Sequence, residues 1–526
     1  MRLIPATELK PLLTGPGEIA LIDVREYGQY GEGHPFFAVN LPYSQLEARA
    51  PVLVPRLSAP LVLIDDGDGV AERAAGRLAA MGYSDIRIVE GGAPAWAAAG
   101  FTLFQGVNLP SKTFGELVEH AMATPSISAN ELVAMQAAGE DFILLDGRTA
   151  AEHGRMTLPG ARHCPNAEMA YRLPALGLDP ATRIVVHCAG RTRSIIGAQT
   201  LRNLGVSHEV VALENGTQGW ELAGLTLTRG QEAEALPDLL AAERVAQREA
   251  ARALMARAKI ARLSPGDLAA ERRDASRTQY LFDVRTGAEF AAGYIPGAIH
   301  APGGQLVQAT DHWIAVRGAR VVLCDDVGLR AATTALWLRG MGHDVAVLDA
   351  DAGAAGADFS VPAPLAVPDI PAIAPAEARE RMARGAVLLD LRASAKFRAG
   401  HPEGARWAIR PRIATMDLAG ATEVLLIADD PTVAAAAALD ITDQHGLTSA
   451  HVTGTLADWR AAGAPIIETP DDPPDQGRID YLFFTHDRHS GNLDAAQQYL
   501  DWETGLIGQL DEQERGALRP ELSLPG

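Results

Sequence analysis

The sequence predicts an α/β protein of four tandem domains, each a parallel sheet flanked by helices, with a C-terminal tail beyond them. Three observations predict this. An apolar run closing in Asp-x-Arg recurs four times, as Leu21-Ile22-Asp23-Val24-Arg25, Leu144-Leu145-Asp146-Gly147-Arg148, Leu281-Phe282-Asp283-Val284-Arg285 and Leu388-Leu389-Asp390-Leu391-Arg392. A second apolar run follows each copy, as Leu61-Val62-Leu63-Ile64, Ile184-Val185-Val186-His187, Val321-Val322-Leu323-Cys324 and Val424-Leu425-Leu426-Ile427-Ala428. An Ala-rich, helix-favouring stretch that stops at a glycine then comes in every copy.

Short apolar runs bounded by polar residues read as strands buried on both faces of a parallel sheet. The register between them is nearly constant: Asp23 to Asp65, Asp146 to Cys188 and Asp283 to Asp325 lie 42 positions apart, and Asp390 to Asp429 lies 39 apart. Helix stops fall at Met81-Gly82, Leu204-Gly205, Met341-Gly342 and His445-Gly446, where glycine accepts the left-handed conformation that ends a helix. A third buried strand follows at Ile86-Arg87-Ile88-Val89, Glu209-Val210-Val211-Ala212-Leu213, Val345-Ala346-Val347-Leu348 and Ser449-Ala450-His451-Val452. Copies one, two and four close on a Trp and a Gly (Trp96 and Gly100, Trp220 and Gly224, Trp459 and Gly463), whereas copy three, around Asp349 to Gly356, lacks the Trp.

The repeats set domain boundaries near residues 1–106, 123–230, 258–362 and 368–469, leaving 470–526 as the tail. A stretch from Leu236 to Ile260, rich in Ala, Arg, Glu and Leu, predicts an interdomain helix, and the Pro-rich segment from Pro362 to Pro375 predicts a stiff linker. The tail carries Tyr481-Leu482-Phe483-Phe484 and a helical pattern near Leu493 to Leu510, an aromatic content that predicts docking onto a domain.

The 526 residues exceed what one core supports, and 47% hydrophobic with 21% charged residues is a soluble globular balance. A formal charge of -20 leaves no basic excess for phosphates or anionic lipid, which argues against nucleic acid and membrane partners. The first residues carry no cleavage signal, and no 18 apolar residues run together. Three cysteines, Cys164, Cys188 and Cys324, cannot form a disulfide framework and fit the reducing cytoplasm.

Among them Cys188 carries the chemistry. It opens the loop Cys188-Ala189-Gly190-Arg191-Thr192-Arg193-Ser194 where a buried strand ends and a helix begins. A cysteine attacks as thiolate, and a free thiol with a pKa of about 8.5 supplies little of it at neutral pH. Loop amides and the positive end of the helix dipole stabilise such an anion. Arg191 and Arg193 add two cations suited to an anionic donor.

The order of Leu145-Asp146-Gly147-Arg148, Glu152-His153, Leu158-Pro159-Gly160-Ala161, the Cys188 loop, and Asn215-Gly216 with Gly219-Trp220 resembles the signatures of the rhodanese-like sulfurtransferases. Copy three, with Asp283-Val284-Arg285, Glu289-Phe290 and Gly293-Tyr294-Ile295-Pro296-Gly297-Ala298, resembles them similarly. The resemblance implies four tandem rhodanese-like domains, one with the catalytic Cys. It implies that Cys188 becomes a persulfide and passes its sulfur to an acceptor, with Ala189, Gly190, Arg191, Thr192, Arg193 and Ser194 binding the substrate and the sulfur anions. It also implies that Cys188 to Arg193, a Cys-x4-Arg loop, is the tighter sulfurtransferase form rather than the Cys-x5-Arg form of related phosphatases. Gly190 and Arg191 match neither the common thiosulfate nor the mercaptopyruvate version, so the donor stays open.

The expected activity is therefore transfer of sulfane sulfur from a donor such as thiosulfate to cyanide, a thiol or a protein acceptor, with no metal and no cofactor. Two alternatives remain at this point: a persulfide relay or scaffold whose inactive domains bind a partner, and phosphatase or arsenate-reductase chemistry at the same loop. Copies one, three and four place Asp65-Asp66, Asp325-Asp326 and Asp429-Asp430 where copy two has Cys188-Ala189, and a carboxylate cannot form a persulfide. Those pairs read as solvated loops that start a helix with favourable charge in preference to metal or acid–base sites. Cys324 reads as the last strand residue and core, Cys164 as structural rather than a resolving thiol. Asp146 and Arg148 recur in all copies and read as a structural anchor, with Arg148 also supporting the Cys188 loop. His486-Asp487-Arg488-His489 reads as a polar turn rather than a metal site.

Overall fold

The computed structural model describes residues 2–349 and 367–523. Four five-stranded sheets share one strand order: numbering the strands of each repeat from its N-terminus, they run 1-5-4-2-3 across the sheet, and every neighbouring pair within them is parallel. The two central strands are the two apolar runs read from the sequence. In repeat two they are Phe142–Asp146 and Arg183–His187, and in repeat three Gln279–Asp283 and Arg320–Cys324. Crossing from one parallel strand to the next needs a helix, so both sheet faces are covered. A further two-stranded antiparallel ladder joins His401–Pro402 to Ile466–Ile467.

Register explains the constant spacing. Asp23 pairs with Ile64, Asp146 with His187, and Asp283 with Cys324, so the next residue along the fourth strand, Asp65, Cys188 or Asp325, opens the loop. Cys324 is thus the last residue of its strand, inside a core cluster with Leu281, Val322 and Leu348. Repeat four departs from the alignment made on sequence: Asp390 pairs with Ile427, which puts Ala428, not Asp429, at the position of Cys188. The shorter spacing there reflects a shorter crossover between the paired strands: Val387 pairs with Val424, 37 positions on, against 41 for Ala20 with Leu61, Phe142 with Arg183 and Gln279 with Arg320.

The helices that follow, Val70–Ala80, Thr192–Leu204, Leu329–Gly340 and Pro431–His445, end near Gly82, Gly205, Gly342 and Gly446. All four glycines have positive φ, between 67° and 94°, which a side chain would strain. Trp96, Trp220 and Trp459 are buried, and the first two donate their indole N–H to the carbonyls of Thr102 and Thr226. The part of copy three from residue 350 to 356 and the linker residues 362–366 lie outside the described residues; Pro375 begins the helix Pro375–Met382. The interdomain helix is Ala241–Ala258, and the tail holds the helices Leu493–Gln509 and Glu512–Ala517.

The chain forms two compact units: residues 2–9, 20–106 and 367–484 make one, and residues 10–19, 107–349 and 485–523 the other. Repeats one and four share the first. There the buried Arg410 donates to Glu47 Oε1 at 2.7 Å, Asp440 Oδ2 at 2.7 Å and the Tyr43 carbonyl at 3.0 Å. Repeats two and three share the second. There the buried Arg330 donates to Glu168 Oε1 at 3.0 Å, Glu289 Oε2 at 2.8 Å and Asp326 Oδ1 at 2.5 Å.

Removing one partner of a buried ion pair strands the other charges in low dielectric, at a cost of about 3–5 kcal/mol. Arg410→Leu therefore lowers the stability of the first unit by about that much, read as an earlier denaturant midpoint; an unchanged midpoint would show that Glu47 and Asp440 find other partners.

Candidate active site

All the elements of the site belong to the second unit. The strand Arg183–His187, central in its sheet, delivers Cys188 at its C-terminal end, where the residue is only 2% exposed. The Cys188 Sγ–H donates to Ser194 Oγ at 3.8 Å, and that hydroxyl donates to the Arg191 carbonyl at 2.7 Å. The loop backbone is gripped from the side by the helix Gly216–Leu222: Thr217 N donates to the Cys188 carbonyl at 2.9 Å and Gln218 N to the Ala189 carbonyl at 3.1 Å. Gly216 has φ of +51°, and a Cβ on it would stand 2.2 Å from the Cys188 carbonyl oxygen, so only glycine permits this approach.

The amides of Ala189, Gly190, Arg191, Thr192 and Arg193 donate to no acceptor among the described residues. Successive open N–H groups at a helix N-terminus form a concavity that takes an anion. Repeats one and three show the same loop occupied. Asp65 accepts from the amides of Gly67 and Ala71, each at 2.9 Å, and Asp325 from those of Val327 at 2.8 Å, Gly328, and Ala331 at 3.0 Å. These two carboxylates are buried rather than solvated, which corrects the sequence reading: their own loop amides, not water, satisfy them. Asp429 and Asp430 are exposed as expected, and Asp430 caps the following helix through Thr432 N at 2.8 Å.

The two loop arginines are differently placed. Arg193 is buried, donates to Glu152 Oε1 at 2.6 Å and Oε2 at 2.8 Å, and is held charged against its desolvation by Glu152 and the nearby Cys188. Glu152 is only half-buried, and against its partial desolvation Arg193 and the Thr149 hydroxyl bring its pKa down to about 2. Arg191 turns to the helix Leu109–Met122, donating to Glu116 Oε1 at 2.8 Å and Oε2 at 3.0 Å, and to Glu119. Burial pushes the Glu116 carboxyl up to about 7 against the pull of Arg191.

Beneath the loop, Arg148 Nε and Nη2 meet both oxygens of Asp146 at 2.8 and 2.7 Å, and Nη2 also donates to the Met156 carbonyl at 2.5 Å. His153 Nδ1 lies 2.9 Å from Asp146 and Thr157 Oγ1 donates to it at 2.8 Å. Burial alone would raise Asp146, but His187, Arg148 and His153 hold it well below the usual carboxylate range. Burial lowers His187 to about 4 against the attraction of Asp146. Cys164 is buried and its thiol is pushed up to about 12; burial likewise raises Cys324 well above the usual thiol range, and its S–H meets the Phe282 carbonyl at 3.5 Å.

Sequence reasoning missed a second wall. The tail helix Leu493–Gln509 and the helix Leu109–Met122 cover the loop with Tyr499, Glu503 and Lys112. Thr192 Oγ1 donates to Glu503 Oε1 at 2.7 Å, and Lys112 Nζ donates to the Tyr499 hydroxyl. Lys112 is buried, and desolvation lowers it to about 8. The aromatic content of the tail was the only signal. Asn166 was missed too: its Nδ2 donates to the Arg193 carbonyl at 2.8 Å, and its Oδ1 would sit 2.2 Å from a Cβ on Gly147. That approach explains why copy two alone has glycine between Asp and Arg.

A family model described as the rhodanese-like domain matches residues 5–99, 128–223 and 264–352. A solved thiosulfate sulfurtransferase from Pseudomonas aeruginosa is 40% identical, with 98% of this chain and 99% of that one covered at a TM-score of 0.90. The chain belongs to the rhodanese-like family. Its fourth repeat lies outside the matched residues but has the rhodanese-like strand order of the other three. More distant structures include the Alr3790 protein of Anabaena sp., at 27% identity over 20% of this chain and 84% of that one, TM-score 0.19. An anaerobic ergothioneine biosynthesis enzyme from Chlorobium limicola is 17% identical over 66% and 95%, TM-score 0.24. No curated protein sequence matches significantly.

The buried neutral His187 has a sign-definite effect on stability. Its imidazole titrates near 6.5 when unfolded and near 4 in the fold, so its contribution is intact above about pH 6.5 and is lost as pH falls toward 4, up to about 3 kcal/mol. His187→Ile, which installs the residue repeat one carries as Ile64, flattens the fall of unfolding free energy between those pH values; an equal fall in both proteins would assign it to other groups.

Proposed function

We propose that this chain is a sulfurtransferase that carries sulfane sulfur as a persulfide on Cys188. The observation that carries the reading is an internal contrast: loops of one fold hold a carboxylate in repeats one and three, whereas repeat two presents Cys188 with five open amides. A position that elsewhere takes a fixed anion is suited to a thiolate, and then to the outer sulfur of a persulfide. The 40% identity to a thiosulfate sulfurtransferase supports the same assignment and favours thiosulfate as donor.

In the first half-reaction the Cys188 thiolate attacks the sulfane sulfur, the sulfur–sulfur bond of the donor breaks, and sulfite leaves with the electron pair. In the second, cyanide or a thiol attacks the outer sulfur and Cys188 departs as thiolate. The open amides of residues 189–193 stabilise the sulfur anions. Arg193, close to Cys188, attracts the anionic donor, whereas Arg191, clamped by Glu116 and Glu119, holds the loop against its neighbouring helix. Arg148 supports the loop through Asp146. The chemistry needs no metal or cofactor. Three free, buried cysteines suit a reducing cytoplasm, and among the described residues no helix is long and apolar enough to cross a membrane.

Thiosulfate treatment adds one sulfur atom to the peptide containing Cys188, read by mass spectrometry, and Cys188→Ser abolishes both this adduct and thiocyanate formation; a fully active serine variant would sink the mechanism. Arg193→Ala lowers kcat/KM for thiosulfate by about 10–100-fold, the scale of a lost charged contact. An unchanged kcat/KM would remove Arg193 from donor binding.

A further inference from the structure

We propose that Glu503, on the tail helix, is the base that takes the proton of a thiol acceptor as that thiol receives sulfur from Cys188. The proposal rests on the persulfide reading above and deepens it on the acceptor side.

Glu503 comes from outside the four repeats and is 1% exposed. Its Oε1 is occupied by the Thr192 hydroxyl at 2.7 Å, but Oε2 is buried with no hydrogen-bond partner. That free oxygen lies 3.0 Å from the point where a Cβ on Gly190 would stand, two residues along the loop from Cys188. Tyr499 Cε1, at 3.1 Å, and Gln218 Nε2, at 3.4 Å, converge on the same point. With no side chain at Gly190, a carboxylate oxygen, a phenol ring and an amide pack directly against the loop two residues from Cys188, closer than a Cβ there would comfortably allow.

Charged groups surround Glu503. Lys112 and Glu116 face it from the helix Leu109–Met122, Arg191 and Arg193 belong to the loop, and Arg488 lies over the Tyr499 ring at 4.5 Å. Lys112 feels both Glu503 and Cys188, so one buried cation balances the base and the sulfur anion together. Leaving a buried acceptor unsatisfied costs about 1–3 kcal/mol, and the carboxylates of repeats one and three carry no such cost because their loop amides fill them. An anionic donor gains nothing from this oxygen, but a neutral thiol has a proton to give it.

The step balances. The outer sulfur, formed as an anion in the first half-reaction, takes a proton from solvent to give Cys188–S–SH, and the acceptor thiol then loses its own proton to Glu503 as its sulfur bonds to that outer sulfur. The bond between that outer sulfur and Cys188 Sγ breaks, and its electron pair remains on Cys188. The products are the acceptor persulfide, the Cys188 thiolate and a protonated Glu503 that returns its proton to solvent.

The full chain is charged with thiosulfate, freed of excess, and discharged in single turnovers by cyanide or by 2-mercaptoethanol. Cyanide exchanges its proton with water, so it needs no protein base. Glu503→Gln slows discharge by 2-mercaptoethanol by about 100-fold, the usual scale of general-base catalysis, and leaves discharge by cyanide within about twofold, below any such effect. Formate added to Glu503→Ala restores part of the thiol rate. Equal slowing with both acceptors, or an unchanged thiol rate, overturns the proposal; should Glu503→Gln not fold, a thiol rate in Glu503→Asp that falls no more than its cyanide rate overturns it as well. A wild-type chain that takes up no sulfur at Cys188 overturns the persulfide reading itself, which is a separate failure.

Discussion

The bidentate pair between the Asp and the Arg of each Asp-x-Arg run is the interaction on which the rest depends. In every repeat the arginine grips both aspartate oxygens and also donates to a carbonyl eight residues further on: Gly33, Met156, Gly293 and Gly400. The aspartate ends the second strand and stands in register with the end of the fourth in each sheet. A buried charge that is paired and hydrogen-bonded on every side has few alternative partners. Each pair thus fixes where two parallel strands end, and the loop that follows begins at a defined place whether or not it does chemistry.

On this frame the difference between repeats becomes small and local. Asp65 and Asp325 bring an anion into their own loops, so those loops are finished structures. Repeat two brings a cysteine, leaves amides open, and surrounds the gap with groups borrowed from elsewhere: Lys112 from the helix before it and Glu503 from the tail. The proposed centre is assembled from three stretches of chain, only one of which is a rhodanese-like repeat.

That division also marks what could be read from the amino acids. Strand ends, the helix-stopping glycines and the place of Cys188 were legible because each follows from a local pattern repeated four times, and repetition exposes register. The fourth repeat misled by one position because its loop is shorter and the aspartates align by identity rather than by strand end. The inward turn of Asp65 and Asp325 was not legible, since a pair of acidic residues at a helix start looks solvated until the loop geometry is known. Nor was the pairing of Arg191 with Glu116, or the approach of Glu503 to Gly190: the partners are separated by 75 positions in the first case, several hundred in the second, and belong to no shared pattern.

The open amides of the Cys188 loop have an evolutionary meaning as well. Replacing the cysteine of such a loop by aspartate discards the reaction but closes the cradle with an internal ligand, so a duplicated domain that loses its chemistry can gain rigidity in the same mutation. Activity and stability compete at this one position. Repeats one and three, whose aspartates fill their own loops, stand on one side of that competition and repeat two on the other, while repeat four, with Ala428 at the position and its aspartates exposed, takes no part in it.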